Sequence, residues 1–225
     1  QFINCTFKDN VAAGFDGDRN GRGALRPATI FVRGAQPIIV GNDFLGNQGA
    51  VVSIDANALK AHSVPDWGRS TGPLSAFDQY ADNVGPMVRA NRFGQIDELG
   101  LSNSINGREV RPAILTTESI WDDVDIVHVL RGEIIVPHFH HVGGLRLQSS
   151  TAGSLVVKLS GPDAGFTAVG RPLEIDDRIG GIVQIVGQPG RPVVLTDRAD
   201  DTAGAGFDIY GRPNSDTNGN GASQG

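Results

Sequence analysis

One short motif recurs along the N-terminal half of the chain. An apolar pair, or a near-pair, is followed by x-Asn-x-Phe at residues 2–7, 39–44 and 88–93, with cysteine replacing asparagine in the first copy. The spacing between copies is unequal, which indicates similar structural units separated by loops of different length. The motif positions are Cys5 and Phe7, Asn42 and Phe44, and Asn91 and Phe93.

Short apolar segments make up most of the remaining pattern. Each is bounded by Gly, Pro, Asn or Asp, as is typical of β-strands joined by tight turns. No twelve-residue window carries a sustained helical spacing of apolar residues. Glycine accounts for 31 of the 225 residues, and glycine is costly inside a helix. We therefore predict an all-β chain with many short strands.

The x-Asn-x-Phe-x-x-Asn rhythm, completed by Asn10 and Asn47, resembles the coils of right-handed parallel β-helix proteins of the pectate-lyase-like class. The resemblance implies a β-solenoid with inserted loops over residues 1–160, with one insertion near 55–85. It also implies two ladders, because parallel coils bring equal positions to about 4.8 Å from each other. One ladder contains Cys5, Asn42 and Asn91, and the side-chain amides of the two asparagines bond the backbone of neighbouring coils. The other ladder contains Phe7, Phe44 and Phe93.

The motif is missing after Gly161. Residues 165–190 resemble a stretch of very large bacterial surface proteins built from such coils. We predict that residues 161–225 add further β-strands that continue or cap the solenoid, or form a small β-rich extension, and end in a polar Asp/Asn/Gly tail. Because both ends run out in patterned or polar sequence, we expect a segment of a longer secreted polypeptide.

Charge and cysteine content exclude several classes of function. The formal net charge is −6 with no run of Lys or Arg, so no nucleic-acid partner is expected. The apolar stretches are far too short to span a membrane. Cys5 is the only cysteine and is expected to be a small buried hydrophobic residue.

Two acidic segments resemble the first half of a calcium-binding loop. Alternating Asp and Asn oxygens can surround a hard cation, and the following glycine permits the sharp turn. Neither segment is a complete EF-hand, because Pro27 stands where the first would need glutamate and the second has no twelfth residue. Calcium is therefore predicted with a solvated turn as the alternative. The candidate ligands are Asp16, Asp18 and Asn20, and Asp216, Asn218 and Asn220.

Four side chains are candidates for ligand contact. His138 and His140 would share one face of a strand and would need a third ligand to hold zinc or copper, so a polar patch is the alternative. Trp67 lies in the long insertion, and Trp121 precedes the acidic run 122–125. Either ring would suit stacking on a sugar, whereas a solvated turn is the alternative for the acidic run.

Catalytic motifs are not evident in the sequence. It has no G-x-S-x-G elbow, no Walker loop and no dinucleotide fingerprint. Arg89 and Arg92 are candidates for a base or a substrate clamp, but no acidic pair is aligned with them. We expect a non-catalytic structural module of an extracellular or cell-surface bacterial protein, which stacks end to end into a filament or within a longer repeat chain. The alternatives are a polysaccharide lyase or hydrolase, and a carbohydrate-binding adhesin.

Overall fold

The computed structural model describes residues 1–11, 28–59, 86–94, 102–138, 144–170 and 180–221. Within these ranges the chain forms nineteen β-strands and one 3-10 turn, Ala56–Ala58. No helix of the described ranges is long and apolar enough to cross a membrane. The predictions made for Asp16, Asp18, Asn20, Trp67 and His140 lie outside the described residues, as does most of the insertion near 55–85.

The first eighteen strands come in consecutive sets of three, which we call rungs. Each strand pairs in parallel with the equivalent strand of a neighbouring rung. The strands are, in rung 1, β1 (Phe2–Ile3), β2 (Thr6–Lys8) and β3 (Ala28–Val32); in rung 2, β4 (Ile38–Val40), β5 (Asp43–Leu45) and β6 (Ala50–Asp55); in rung 3, β7 (Met87–Arg89), β8 (Arg92–Phe93) and β9 (Ile105–Arg111); in rung 4, β10 (Ala113–Ile114), β11 (Ser119–Trp121) and β12 (His128–Leu130); in rung 5, β13 (Glu133–Val136), β14 (Leu145–Gln148) and β15 (Leu155–Leu159); and in rung 6, β16 (Gly165–Ala168), β17 (Val183–Val186) and β18 (Val193–Asp197).

The third strands of all six rungs form one continuous sheet, which we call the common sheet. The first and second strands do not continue in this way. Those of rungs 1–3 and those of rungs 4–6 form separate sheets. The prediction of an all-β chain is confirmed, and the parallel pairing is consistent with a solenoid-like fold. The molecule thus has an N-terminal half and a C-terminal half that share one sheet.

The core lies on one face of the common sheet and runs through both halves. Parallel pairing aligns one apolar position across five successive rungs. Each of these side chains therefore packs against its equivalents, and the fully buried ones contribute about 1.5–3 kcal/mol each. The aligned residues are Val32, Ile54, Val110, Leu130 and Leu159.

The first and second strands of rung 3 do not pair with those of rung 4. Two other segments lie at this junction between the halves. On the N-terminal side, β19 (Phe207–Asp208) pairs in parallel with β8 and adds a fourth strand to that sheet. On the C-terminal side of the junction, the residues that follow β6 pack beside β11 of rung 4. The N–H of Ile120 donates to the carbonyl of Leu59 at 2.8 Å, and Ser119 Oγ donates to the carbonyl of Ala56 at 3.0 Å.

After β18 the chain returns along the outer face of the common sheet. Ala205 packs there against Val127, Val129 and Val156, with Ala203 partly buried beside them. Residues 161–221 therefore supply both rung 6 and a segment that covers the side of the earlier rungs. We call residues 198–221 the return segment.

Candidate functional site

The first asparagine ladder lies at the corner between the first and second strands of rungs 1–3. Asn42 Oδ1 accepts the N–H of Cys5 at 2.9 Å, and Asn42 Nδ2 donates to the carbonyl of Phe2 at 2.9 Å. Asn91 repeats this one rung later, where its Oδ1 accepts the N–H of Asn42 at 3.0 Å and its Nδ2 donates to the carbonyl of Ile39 at 2.8 Å. Each amide thus satisfies backbone groups of the preceding rung.

The residue before each ladder position has a left-handed backbone. The φ angles are 51° at Asn4, 68° at Gly41 and 52° at Ala90. This conformation turns the chain sharply enough to place the ladder side chain inside the corner. At Gly41 an added Cβ would also lie 2.4 Å from Asn4 Oδ1, so the Asn4 side chain would have to move.

A second ladder follows the second strands. Asn47 Oδ1 accepts both the N–H (3.2 Å) and the Nδ2 (2.6 Å) of Asn10, and Asn103 Oδ1 accepts the same two groups of Asn47 at 2.9 and 2.8 Å. Asn103 Nδ2 then donates to Asn106 Oδ1 at 2.8 Å. Asn103 and Asn106 were missed because the spacing after Phe93 is longer than in the other copies. Two asparagines three residues apart, one before β9 and one at its second residue, were the available signal.

The phenylalanines of the motif stack inside the N-terminal half. The rings of Phe7 and Phe44 have centroids 5.0 Å apart at an interplanar angle of 8°, and those of Phe44 and Phe93 are 6.0 Å apart at 21°. Phe2 meets Phe7 edge-on at 5.9 Å. Such ring pairs add about 0.5–1.5 kcal/mol each to the burial of their area. The structure therefore brings the three motif phenylalanines together.

Cys5 is exposed, and the expectation of a buried residue is wrong. Its N–H takes part in the ladder, whereas its Sγ donates only to the nearby carbonyl of Ile3 at 3.3 Å. The reason is its place in rung 1, whose strands have a strand neighbour on one side only within the described ranges.

Trp121 lies in the core of the C-terminal half. It is fully buried, its ring stacks on that of His128 at 5.4 Å and 7°, and Phe166 packs edge-on at 5.7 Å. Its Nε1 donates to Ser119 Oγ at 3.0 Å. The ring therefore has no open face on which a sugar could stack. The neighbouring Asp122 and Asp123 are also buried, so they do not form a solvated turn.

A buried ionic group lies beside this tryptophan. The guanidinium of Arg108 bonds the carboxylate of Asp123 and also Nε2 of His128, and all three side chains are fully buried. A guanidinium can only donate, so Nε2 must accept and the imidazole is neutral, with its proton on Nδ1. Burial first, and then the charge of Arg108, hold the pKa of His128 well below its usual range.

His138 is half-buried just after β13, while its predicted companion His140 lies outside the described ranges. Within the part of the chain that the structure describes, no group of three or more His, Cys, Asp or Glu is placed to hold a metal ion. A metal site at the histidine pair therefore stays a prediction.

The second acidic segment forms a turn held by its own side chains. Asp216 Oδ1 accepts the N–H of Asn220 at 3.1 Å and Asp216 Oδ2 accepts that of Gly221 at 2.9 Å. Asn218 Oδ1 also accepts the N–H of Asn220, at 3.2 Å. These bonds account for the turn whether or not a cation binds. Calcium at Asp216, Asn218 and Asn220 stays a prediction.

The two candidate arginines are paired with carboxylates. Arg89 is buried and its Nη1 lies 3.4 Å from Asp125 Oδ1, so it links rung 3 to the residues before β12. Arg92 donates from Nε and Nη2 to the two carboxylate oxygens of Asp43, at 2.7 and 2.8 Å, on the outer face. Both arginines join neighbouring rungs, and this arrangement explains them without a substrate.

No protein-family model, curated protein or solved structure matches the chain. The class that the described residues define is an all-β protein of stacked parallel sheets. Its buried asparagines Asn42, Asn47, Asn91 and Asn103 form ladders between rungs.

Proposed function

We propose that the chain is a right-handed parallel β-helix segment that serves as a non-catalytic structural module of an extracellular or cell-surface protein. Support for the fold comes from the parallel pairing of equivalent strands in successive rungs. Support for the hand comes from a general rule, because crossovers between parallel strands of one sheet are right-handed in about 98% of cases.

The observation that carries the structural role is the use made of the polar side chains. Asn42, Asn91 and Asn103 bond neighbouring rungs. Arg89 and Arg92 pair with carboxylates, and Arg108 is sealed in the core. Residue types that would serve catalysis elsewhere hold rungs to each other here. This favours a scaffold over a polysaccharide-active enzyme.

The terminal rungs supply the stacking surfaces in this proposal. In rung 6, Ile185, Val186 and Leu195 are 51%, 45% and 43% exposed. In rung 1, Phe2 and Phe7 are only half-buried. Edge strands that carry apolar side chains are ready templates for pairing with another strand. A further rung, from a longer polypeptide or from a second copy, would cover both surfaces.

Sedimentation and electron microscopy of the purified chain test the stacking. We expect concentration-dependent elongated oligomers, which Ile185→Asp and Leu195→Asp weaken. The matched control is Ile114→Asp, because Ile114 is 55% exposed but lies in rung 4. Equal weakening by the control would count against stacking at rung 6. Assays across acidic polysaccharides, with and without calcium, test the non-catalytic role, and any turnover would overturn it.

A further inference from the structure

We infer that the return segment is a clasp that couples the two halves of the molecule. While the segment is docked, the two halves unfold as one unit. When it is released, they unfold separately. This inference goes beyond the structural role proposed above. It concerns the junction inside the chain and holds whether or not the terminal rungs stack on anything.

The second strand of rung 3, β8, does not pair with the second strand of rung 4. The return segment pairs with this edge of β8 instead, through β19. In register, Phe207 pairs with Arg92 and Asp208 with Phe93. The fit is close, because a Cβ at Gly206 would lie 2.4 Å from the carbonyl oxygen of Asp125 and 2.9 Å from Phe93 Cε2. The edge of β8 therefore acts as an acceptor site for this strand.

The same segment closes the second asparagine ladder. The N–H of Asn106 donates to the carbonyl of Thr217 at 2.9 Å, and Asn106 Nδ2 donates to the carbonyl of Asp216 at 2.9 Å. Ser102 Oγ donates to the carbonyl of Gly219 at 2.8 Å. Buried backbone and amide groups that lack a partner are costly, so these contacts hold the segment on the N-terminal half.

A separate set of contacts attaches the segment to the C-terminal half. Lys158 is fully buried on the outer face of β15, and its Nζ donates to the carbonyls of Asp200 at 2.6 Å and Ser215 at 3.2 Å. Ala205 packs on Val129 and Val156 nearby. Without the segment, this ammonium would lose both partners and the valines would face water.

These two sets of contacts explain the coupling. The halves share the common sheet, but their first and second strands are not continuous across the junction. A segment that binds both sides adds a further connection there, beside the contacts of Ile120 with Leu59 and of Arg89 with Asp125. Regions with few cross-contacts open as separate units, and a connection that spans two regions makes them open together.

A matched glycine pair tests the inference in the full chain. Gly206 and Gly211 both have φ of 79°, but an added Cβ meets no atom within 4 Å at Gly211. Gly206→Ala and Gly211→Ala therefore share the backbone strain and differ in the clash. Hydrogen exchange is read at two amides: that of Asn106, bonded to Thr217, and that of Ser104, bonded to the carbonyl of Asn47 at 2.9 Å.

We expect Gly206→Ala to speed exchange at Asn106 by about tenfold or more and to leave Ser104 within about twofold of the parent chain. Gly211→Ala, which introduces the backbone strain without the clash, should speed exchange at Asn106 clearly less than Gly206→Ala does. In urea and in a Trp67→Phe background, Gly206→Ala should also separate the unfolding of the two halves, followed by Trp121 fluorescence and by hydrogen exchange at the amides of rungs 2 and 3. Equal exchange in the two variants, or coincident unfolding in Gly206→Ala, would overturn the coupling.

A disulfide provides a second test that does not depend on Gly206→Ala folding. In a Cys5→Ser background, Arg92→Cys with Phe207→Cys places two thiols at paired positions of adjacent strands, a geometry that suits a disulfide. A disulfide within one chain that slows exchange at Asn106, relative to the reduced form, supports the clasp. A disulfide-linked dimer would show that the segment docks on a second copy instead, and would overturn the inference.

Discussion

Asn91 Oδ1 accepts two donors of Asn42 at once, the backbone N–H at 3.0 Å and the side-chain Nδ2 at 2.9 Å. Both residues are buried, so neither donor can turn to water instead. One carboxamide thus fixes both the backbone and the side chain of the rung before it. The ladder therefore fixes the position of each rung relative to the next.

Removing the side-chain amide of Asn91 should lower the free energy of unfolding more than removing that of Asn10, which lies at an exposed position. Asn91→Ala removes the acceptor of the buried N–H of Asn42, one of the two bonds of Asn42 Nδ2, and the amide donor to the carbonyl of Ile39. Each buried group left without a partner costs about 1–3 kcal/mol, so we expect the free energy of unfolding in urea to fall by about 2–5 kcal/mol. Asn10→Ala is the control, because Asn10 is exposed and its loss should cost less than about 1 kcal/mol. Equal losses would rule out a role for burial.

The aromatic stack should depend most on its central ring. Phe44 is buried between Phe7 and Phe93, whereas Phe7 is half-buried and has one stacked partner. We expect Phe44→Ala to lower the free energy of unfolding by about 3–5 kcal/mol, and Phe7→Ala to lower it by less. Chemical denaturation of the two variants measures the difference. A larger loss for Phe7→Ala would show that the stack is not centred on rung 2.

Acid should destabilise the C-terminal half through His128. Its pKa is lowered by burial and by Arg108, so the folded protein keeps a neutral ring where the unfolded chain, with a value of 6.5, binds a proton. Stability is therefore retained above pH 6.5 and lost as the pH falls below it, by up to about 1.4 kcal/mol per pH unit. His128→Gln keeps an acceptor for Arg108 and cannot titrate. The difference between parent and variant should be independent of pH above neutrality and should change between pH 6.5 and 5.

The fluorescence of Trp121 should show that its ring is shielded from water. The chain has two tryptophans, so Trp67→Phe leaves Trp121 as the only indole. We expect blue-shifted emission and little quenching by acrylamide, because Trp121 is fully buried against His128 and Phe166. Added oligosaccharide should leave this emission unchanged. Strong quenching in the folded variant would contradict the packing.

The repeated motif predicted the N-terminal half well, for a physical reason. A rung that packs on a similar rung needs the same residue type at the same place, so Phe7, Phe44 and Phe93 mark equal positions in the sequence. The all-β class followed from short apolar runs and abundant glycine. Rungs 4–6 have Trp121, His128 and Phe166 inside instead, and such a mixed core leaves no repeat to recognise.

The return segment could not be predicted from local sequence. Its partners are far away in the chain, as in the contact between Ser102 and Gly219, which are separated by 117 residues. Residues such as Asp216 and Asn218 have the composition of a solvated turn or a cation loop, and that composition does not indicate which surface they cover. Cys5 and Trp121 were misjudged similarly, because their exposure depends on the neighbouring rung and not on their own neighbours in sequence.

The ladder corner keeps a constant length of two residues in rungs 1–3 while the chain between successive corners varies. The ladder residues Cys5, Asn42 and Asn91 are separated by 37 and then by 49 residues, yet they bond in the same way. The described strands on either side of the longer connections keep their parallel register. Insertions and deletions in the other connections are therefore compatible with the ladder, and evolutionary relationships among chains of this kind should be traced by ladder position instead of by residue count.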